Sequence, residues 1–154
     1  MPAEGRIRQF QSEDAEECCS LVRACLSLDP LIPLAVKEDL LRAESPAMMR
    51  NRAGLFYVAV FMLGSRVAGV GGLDLNEIRL LFVNPEHQHQ GIGGSFLGHL
   101  EALVPPALFG DIFVYSTPDA AGFYHSHGYR SRGQHPFYVG EYVVPTIFMT
   151  KRLG

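Results

Sequence analysis

The chain has 154 residues, 47 % of them hydrophobic and 19 % charged, and a formal net charge of −3. This is the size and composition of one domain with a continuous core, which excludes a disordered chain. A mildly acidic chain without a basic stripe offers no footprint for nucleic acid, and no segment reaches the roughly 18 apolar residues of a membrane span.

From the N-terminus, Met1 to Phe10 lacks the apolar stretch of a secretory signal, and Ile7 to Phe10 reads as a first strand. Ser12 is placed to cap a helix whose first turn carries Glu13, Asp14 and Glu16 and which Asp29-Pro30 stops. On that helix Cys18, Leu21, Val22, Cys25 and Leu26 share one face, so the cysteines read as small core hydrophobes. With Cys19 they total three in one short segment, at no zinc-ligand spacing, which points to a reducing, cytoplasmic setting.

Leu31 to Arg42 reads as a loop leading into helix, and Ser45-Pro46 as the start of another short helix ending before Gly54. Leu55 to Phe61, Arg66 to Leu73 and Glu77 to Val83 are strands joined by short turns, hence antiparallel. After Asn84-Pro85 the period changes. Ile92, Phe96, Leu97, Leu100, Leu103 and Val104 keep helical spacing until Pro105-Pro106. Ile112 to Tyr115 is a strand, Pro118 to Ser126 a short helix, and Gly128 its C-terminal cap. Further strands follow at Tyr129 to Arg132 or Phe137 to Val139, and at Thr146 to Leu153. The order predicts a mixed α/β (α+β) fold in which residues 77 to 115 make one parallel strand pair across a helix.

The turn before the central helix carries the chemistry. A helix start has unpaired N–H groups and partial positive charge, and so attracts an anion. Gly93, Gly94 and Gly98 each weaken a helix by about 1 kcal/mol against alanine, which calls for a reason such as close approach of a phosphate. A Walker loop is excluded, because Gly94-Ser95 has no lysine before the serine. A dinucleotide fingerprint fails too, with Phe96 at its third glycine and Asp111 ahead of the next strand rather than at its end.

What remains is Val83-x-Pro85 followed by Gln88-x-x-Gly91-x-Gly93, and this resembles the signature of the GCN5-related N-acetyltransferase (GNAT) family. Ala120-Ala121-Gly122-Phe123-Tyr124 through Gly128-Tyr129 is similar to a second family segment, and Phe148 to Leu153 to its final strand. The resemblance implies a mixed central sheet of six to seven strands flanked by about four helices, in one acyltransferase domain over residues 1–154. It further implies acetyl-CoA, or another acyl-CoA, bound in a splay between strands 77–83 and 112–117. Backbone groups of Leu81, Phe82 and Val83 then meet the pantetheine arm. The amides of Gln88, His89, Gln90, Gly91, Ile92, Gly93 and Gly94 hold the pyrophosphate. Where relatives place arginines in this turn, the chain has Gln88, His89 and Gln90, so backbone dipoles carry the anion. Thr117 stands where relatives have an asparagine.

Acyl transfer to an amine needs a proton for the leaving thiolate and a base for the amine. The resemblance puts Tyr124 beside the CoA sulfur as the acid, and Glu77, opening the central strand, is the candidate base. The histidines, among them His99 on an exposed helix face, receive no catalytic or metal role. The expected reaction is transfer of an acetyl group to a primary amine of a small molecule or protein, without a metal, a membrane or nucleic acid. The alternative is a non-catalytic acyl-CoA-binding module. The resemblance places Asp29, Glu38, Asp39 and Glu44 in the segment that borders the acceptor site, where they suit a cationic acceptor, and the aromatic loop from Gly133 to Val144 lines either an acceptor pocket or a subunit contact in a monomer or homodimer.

Overall fold

The computed structural model describes residues 5–154; Met1 to Glu4, part of the N-terminal segment read above, lie outside the described residues. Strand β1 (Gly5–Gln9) leads through a 3-10 turn (Ser12–Asp14) into helix α1 (Ala15–Leu28). Ser12 is not the cap: its hydroxyl accepts from Arg50 Nε at 3.0 Å. Asp14 holds the entry instead. Its carboxylate accepts from the Gln11 amide at 2.8 Å and from both terminal nitrogens of Arg8 at 2.8 and 2.9 Å. A bidentate, charge-assisted contact outweighs what a serine cap supplies.

Helix α2 (Leu34–Ala43) follows, then α3 (Pro46–Leu55), where the Ser45 hydroxyl accepts from the Met48 amide at 3.0 Å as the sequence suggests. The helix does not stop before Gly54. Phe56 still donates its N–H to the Arg52 carbonyl, so strand β2 (Tyr57–Leu63) opens two residues later than the apolar run. Next come β3 (Arg66–Asp74), β4 (Glu77–Val83), α4 (Ile92–Leu103), β5 (Asp111–Ser116) and α5 (Ala121–Ser126). Gly128, at φ +92°, caps α5 as expected.

Both candidate late strands form, and they do different things. β6 (Arg130–Gln134) pairs with β9 (Ile147–Arg152) at the sheet edge. β7 (Phe137–Val139) pairs with β8 (Tyr142–Val144) in a separate ribbon. The segment read as a loop is therefore largely a hairpin. Its two-residue turn starts at Gly140 with φ +59°, the conformation such turns require.

The main sheet has seven strands in the order β1-β2-β3-β4-β5-β9-β6, antiparallel except for the parallel pair β4–β5. Five α-helices accompany it among the described residues, one more than expected. On one face Ala15, Cys18, Leu21 and Val22 of α1, with Met49 of α3, cover Val58, Val60, Val70 and Leu80. On the other face α4 buries Ile92 and Phe96 against Ala59, Phe61 and Ala68, and Leu97 and Leu100 against Ile78, Ile112 and Val114. Gly71 makes this close approach possible, since a Cβ there would lie 2.8 Å from the Phe96 ring.

One irregularity interrupts the β3–β4 pairing. β3 and β4 pair Gly72 with Leu80 but Leu73 with Ile78, so Arg79 is an extra residue, a β-bulge. Its partner on the other side, β5, meets β4 only at Glu77–Phe113 and Ile78–Val114. Beyond those pairs the two strands part.

Candidate active site

The parting strands frame a cleft of about 340 Å³. Its walls are β4 from Ile78 to Val83, β5 from Val114 to Ser116, and the ends of α1 and α5. Leu81, Phe82, Val83, Gln88, Thr117 and Tyr124 all line it, so the structure brings together residues up to 43 positions apart (Tyr124 less Leu81).

The turn ahead of α4 winds through two left-handed residues, His89 at φ +64° and Gly91 at φ +84°. For a histidine that conformation is uncommon, and it persists only where the surroundings impose it. Gln88, His89, Gln90 and Gly91 are exposed, whereas the Ile92 side chain is buried in the core, leaving only its amide for a ligand. The first amides of α4 lack helical partners. The Gln88 side chain turns back and donates through Nε2 to the Val83 carbonyl at 3.2 Å.

Gly93 and Gly94 turn out to have a packing reason as well. A Cβ at 93 would lie 2.8 Å from the Phe123 ring, and one at 94 would lie 2.9 Å from His127 Nε2. The glycines therefore let α5 close on the start of α4. At Gly98 a Cβ would meet nothing within 4 Å, so no contact explains that glycine.

Tyr124 is 5 % exposed and lines the cleft, and its hydroxyl has no hydrogen-bond partner among the described residues. Burial pushes its pKa up, so the phenol keeps its proton at neutral pH. Thr117 lines the same wall, but its hydroxyl already accepts from the Ala120 amide at 3.4 Å, in the turn that starts α5.

Glu77 sits where β4 and β5 are still paired, at the closed end of the opening, and is not among the lining residues. Its carboxylate is 3.8 Å from Arg79. Burial raises its pKa, Arg79 opposes that and Asp74 adds to it. Arg79 lines the cleft, pairs with Asp74 at 3.2 Å and lies over the Phe56 ring at 5.2 Å.

Three neighbours of the site were not singled out for it by sequence. Cys25 lines the cleft and donates its S–H to the Val83 carbonyl at 3.2 Å; burial pushes its thiol up to about 11. Its helical register with Cys18 placed it on the inner face but not in a cleft. Tyr115 lines the cleft from β5. His127 is exposed, and it rests against Gly94 with Nδ1 2.9 Å from the Phe123 carbonyl. His99, by contrast, is not on an exposed face: half-buried, it shares a 2.8 Å hydrogen bond with the Tyr57 hydroxyl, and burial lowers its pKa.

Comparison with known proteins adds three findings. The family model described as "Acetyltransferase (GNAT) domain" matches residues 34–146. The fold superposes on a GCN5-related N-acetyltransferase from Rhodopseudomonas palustris with a TM-score of 0.90 at 19 % identity, covering 98 % of this chain and 97 % of that one. It also superposes on the PaiA N-acetyltransferase of Thermoplasma acidophilum in complex with coenzyme A (TM-score 0.77, 18 % identity, 97 % and 99 % covered). A third match is YncA, a putative acetyltransferase from Salmonella typhimurium with its cofactor acetyl-CoA (TM-score 0.69, 18 % identity, 99 % and 95 % covered). No curated protein sequence matches the chain.

Proposed function

The chain belongs to the acetyltransferase (GNAT) domain family, and from that premise we propose that it is an N-acetyltransferase, moving the acetyl group of acetyl-CoA to a primary amine. The observation that carries this reading is the unpartnered Tyr124 hydroxyl, in a side chain otherwise buried, at the opening between β4 and β5.

The residues fit a CoA thioester. Past Ile78 the edge of β4 is free of β5, and apart from the Val83 carbonyl, which Gln88 and Cys25 occupy, it offers backbone to an amide-bearing arm, as a missing strand would. The exposed turn 88–91 and the first amides of α4 suit a pyrophosphate, with no arginine or lysine needed in the turn. Tyr124 then stands deep in the cleft, where the bond to sulfur breaks.

In the reaction the amine nitrogen bonds to the thioester carbon while the carbon–sulfur bond breaks, and the Tyr124 hydroxyl gives its proton to the departing thiolate. Glu77 is our assignment for the base. Its raised pKa suits proton uptake, and from the closed end of the opening it acts through water. Thr117 accepts from the Ala120 amide at the entry to α5, and its hydroxyl keeps its own proton to donate to the ligand.

The test is free-thiol release from acetyl-CoA with a panel of amines, beside calorimetric binding of acetyl-CoA. Tyr124→Phe is expected to lower kcat by about a hundredfold or more and leave acetyl-CoA affinity within a few-fold. Unchanged kcat would remove Tyr124 from the mechanism. Binding without turnover of any amine would make the chain an acyl-CoA-binding module.

A further inference from the structure

The cleft continues onto the face of the sheet opposite Tyr124. On β5, Ile112 and Val114 point toward α4, so Phe113 and Tyr115 point the other way. There α1 and α3 cover β2 to β4, and over β5 and β9 the face carries an aromatic shelf. The Tyr115 ring is its centre: Phe148 lies 5.3 Å away, Phe113 5.8 Å, Phe137 of the ribbon 5.4 Å and His135 4.7 Å. Phe137 is 43 % exposed, and Phe113, Tyr115 and Phe148 are half-buried, so the shelf is open to a ligand.

Charge at the mouth has one sign to spare. Asp29 and Asp119 line the cleft and form no ion pair among the described residues. Among the described residues the Asp29 carboxylate accepts only from the Leu31 amide, at 3.0 Å. Lys37, beside it, directs its ammonium at the backbone carbonyls of Ser27 and Asp29. Arg79, the one lysine or arginine lining the cleft among the described residues, is already paired with Asp74.

We propose that the acceptor is a primary amine carried on an aromatic body, its ring resting on the Tyr115–Phe137 shelf and its ammonium drawn in past Asp29. This rests on the acetyltransferase reading above. Tyr115 belongs to both shelf and cleft, so a ring seated there directs its amine into the β4–β5 opening. The amine then approaches the thioester from one face of the sheet, while Tyr124 serves the sulfur from the other. Aromatic rings and ammonium groups both gain from such a surface.

The experiment compares 2-phenylethylamine, butylamine and spermidine as acceptors by thiol release, with calorimetric binding of each amine to the protein–CoA complex. The expected order puts 2-phenylethylamine about tenfold or more above butylamine in kcat/KM. Phe137→Ala is expected to raise the KM for 2-phenylethylamine several-fold and bring the two amines' kcat/KM values together. Asp29→Asn should raise the KM of every amine. Equal use of 2-phenylethylamine and butylamine, preference for spermidine, or a ratio that Phe137→Ala leaves intact would overturn the proposal. So would a dimer in sedimentation that Phe137→Ala dissolves, which would make the ribbon a subunit contact. Binding of 2-phenylethylamine, weakened by Phe137→Ala, without turnover would uphold the shelf and refute the transferase reading.

Discussion

At the scale of single residues, two carboxyl groups with opposite shifts make separable predictions. Glu77 is raised by burial, so as a base it loses its charge at a higher pH than an ordinary carboxylate. The rate of acetyl transfer should therefore fall on acidification from a point above the normal glutamate range. Glu77→Gln should abolish that acid limb and lower kcat about a hundredfold; a limb that survives the substitution belongs to another group. Asp14 is lowered, first by its hydrogen bond to Arg8 and then by the Gln11 amide, against the cost of burial. A depressed carboxyl stabilises the fold above its unfolded pKa and loses that contribution as pH falls through the folded value. Asp14→Asn should cost about 2 kcal/mol at neutral pH in denaturant titrations, and the difference from the parent should close in strong acid. Equal deficits at both pH values would mean that the loss comes from packing rather than from the ion pair.

At the scale of elements, the start of α4 shows two demands met by the same residues. The proposed function asks that its amides be open to an anion, and α5 reaches it, with Phe123 and His127 over Gly93 and Gly94. Gly93→Ala should displace the Phe123 ring, which lies 5.2 Å from Tyr124, and so weaken acetyl-CoA binding and slow turnover together by about tenfold. Adding Phe123→Leu should restore part of the loss, a coupling read from a double-mutant cycle; strict additivity would leave the phosphate contact as the glycine's only reason. Here the limit of the sequence is plain. The helix start, the three central strands and the Tyr124 segment were legible because periodicity and turn residues are local. The bulge at Arg79, the contact of His127 with Gly94 and the Cys25 thiol on the Val83 carbonyl join residues distant in sequence or depend on register, and no local pattern encodes them. Of the ribbon, β7 is legible at Phe137 to Val139, while β8, three residues long, is too short to show an alternation and was missed.

At the scale of the whole molecule, β1 to β4 with α1 to α3 form one half, and β5, β9 and β6 form the other. The sheet joins them through two residue pairs, and α4 spans both cores from the far face. A ligand lying along the free edge of β4 should slow amide hydrogen exchange in residues 79–83 and 88–94. It should also raise Tm, since saturation a hundredfold above Kd adds about 2.7 kcal/mol. Unaltered exchange on addition of coenzyme A would place the ligand elsewhere. The two-pair junction makes the folded chain a ladder with rungs left out, and under the proposed function a bound donor supplies them from solution. The molecule's resistance to heat would consequently track how much of its donor is at hand, so the state of supply is written into the cohesion of the sheet itself.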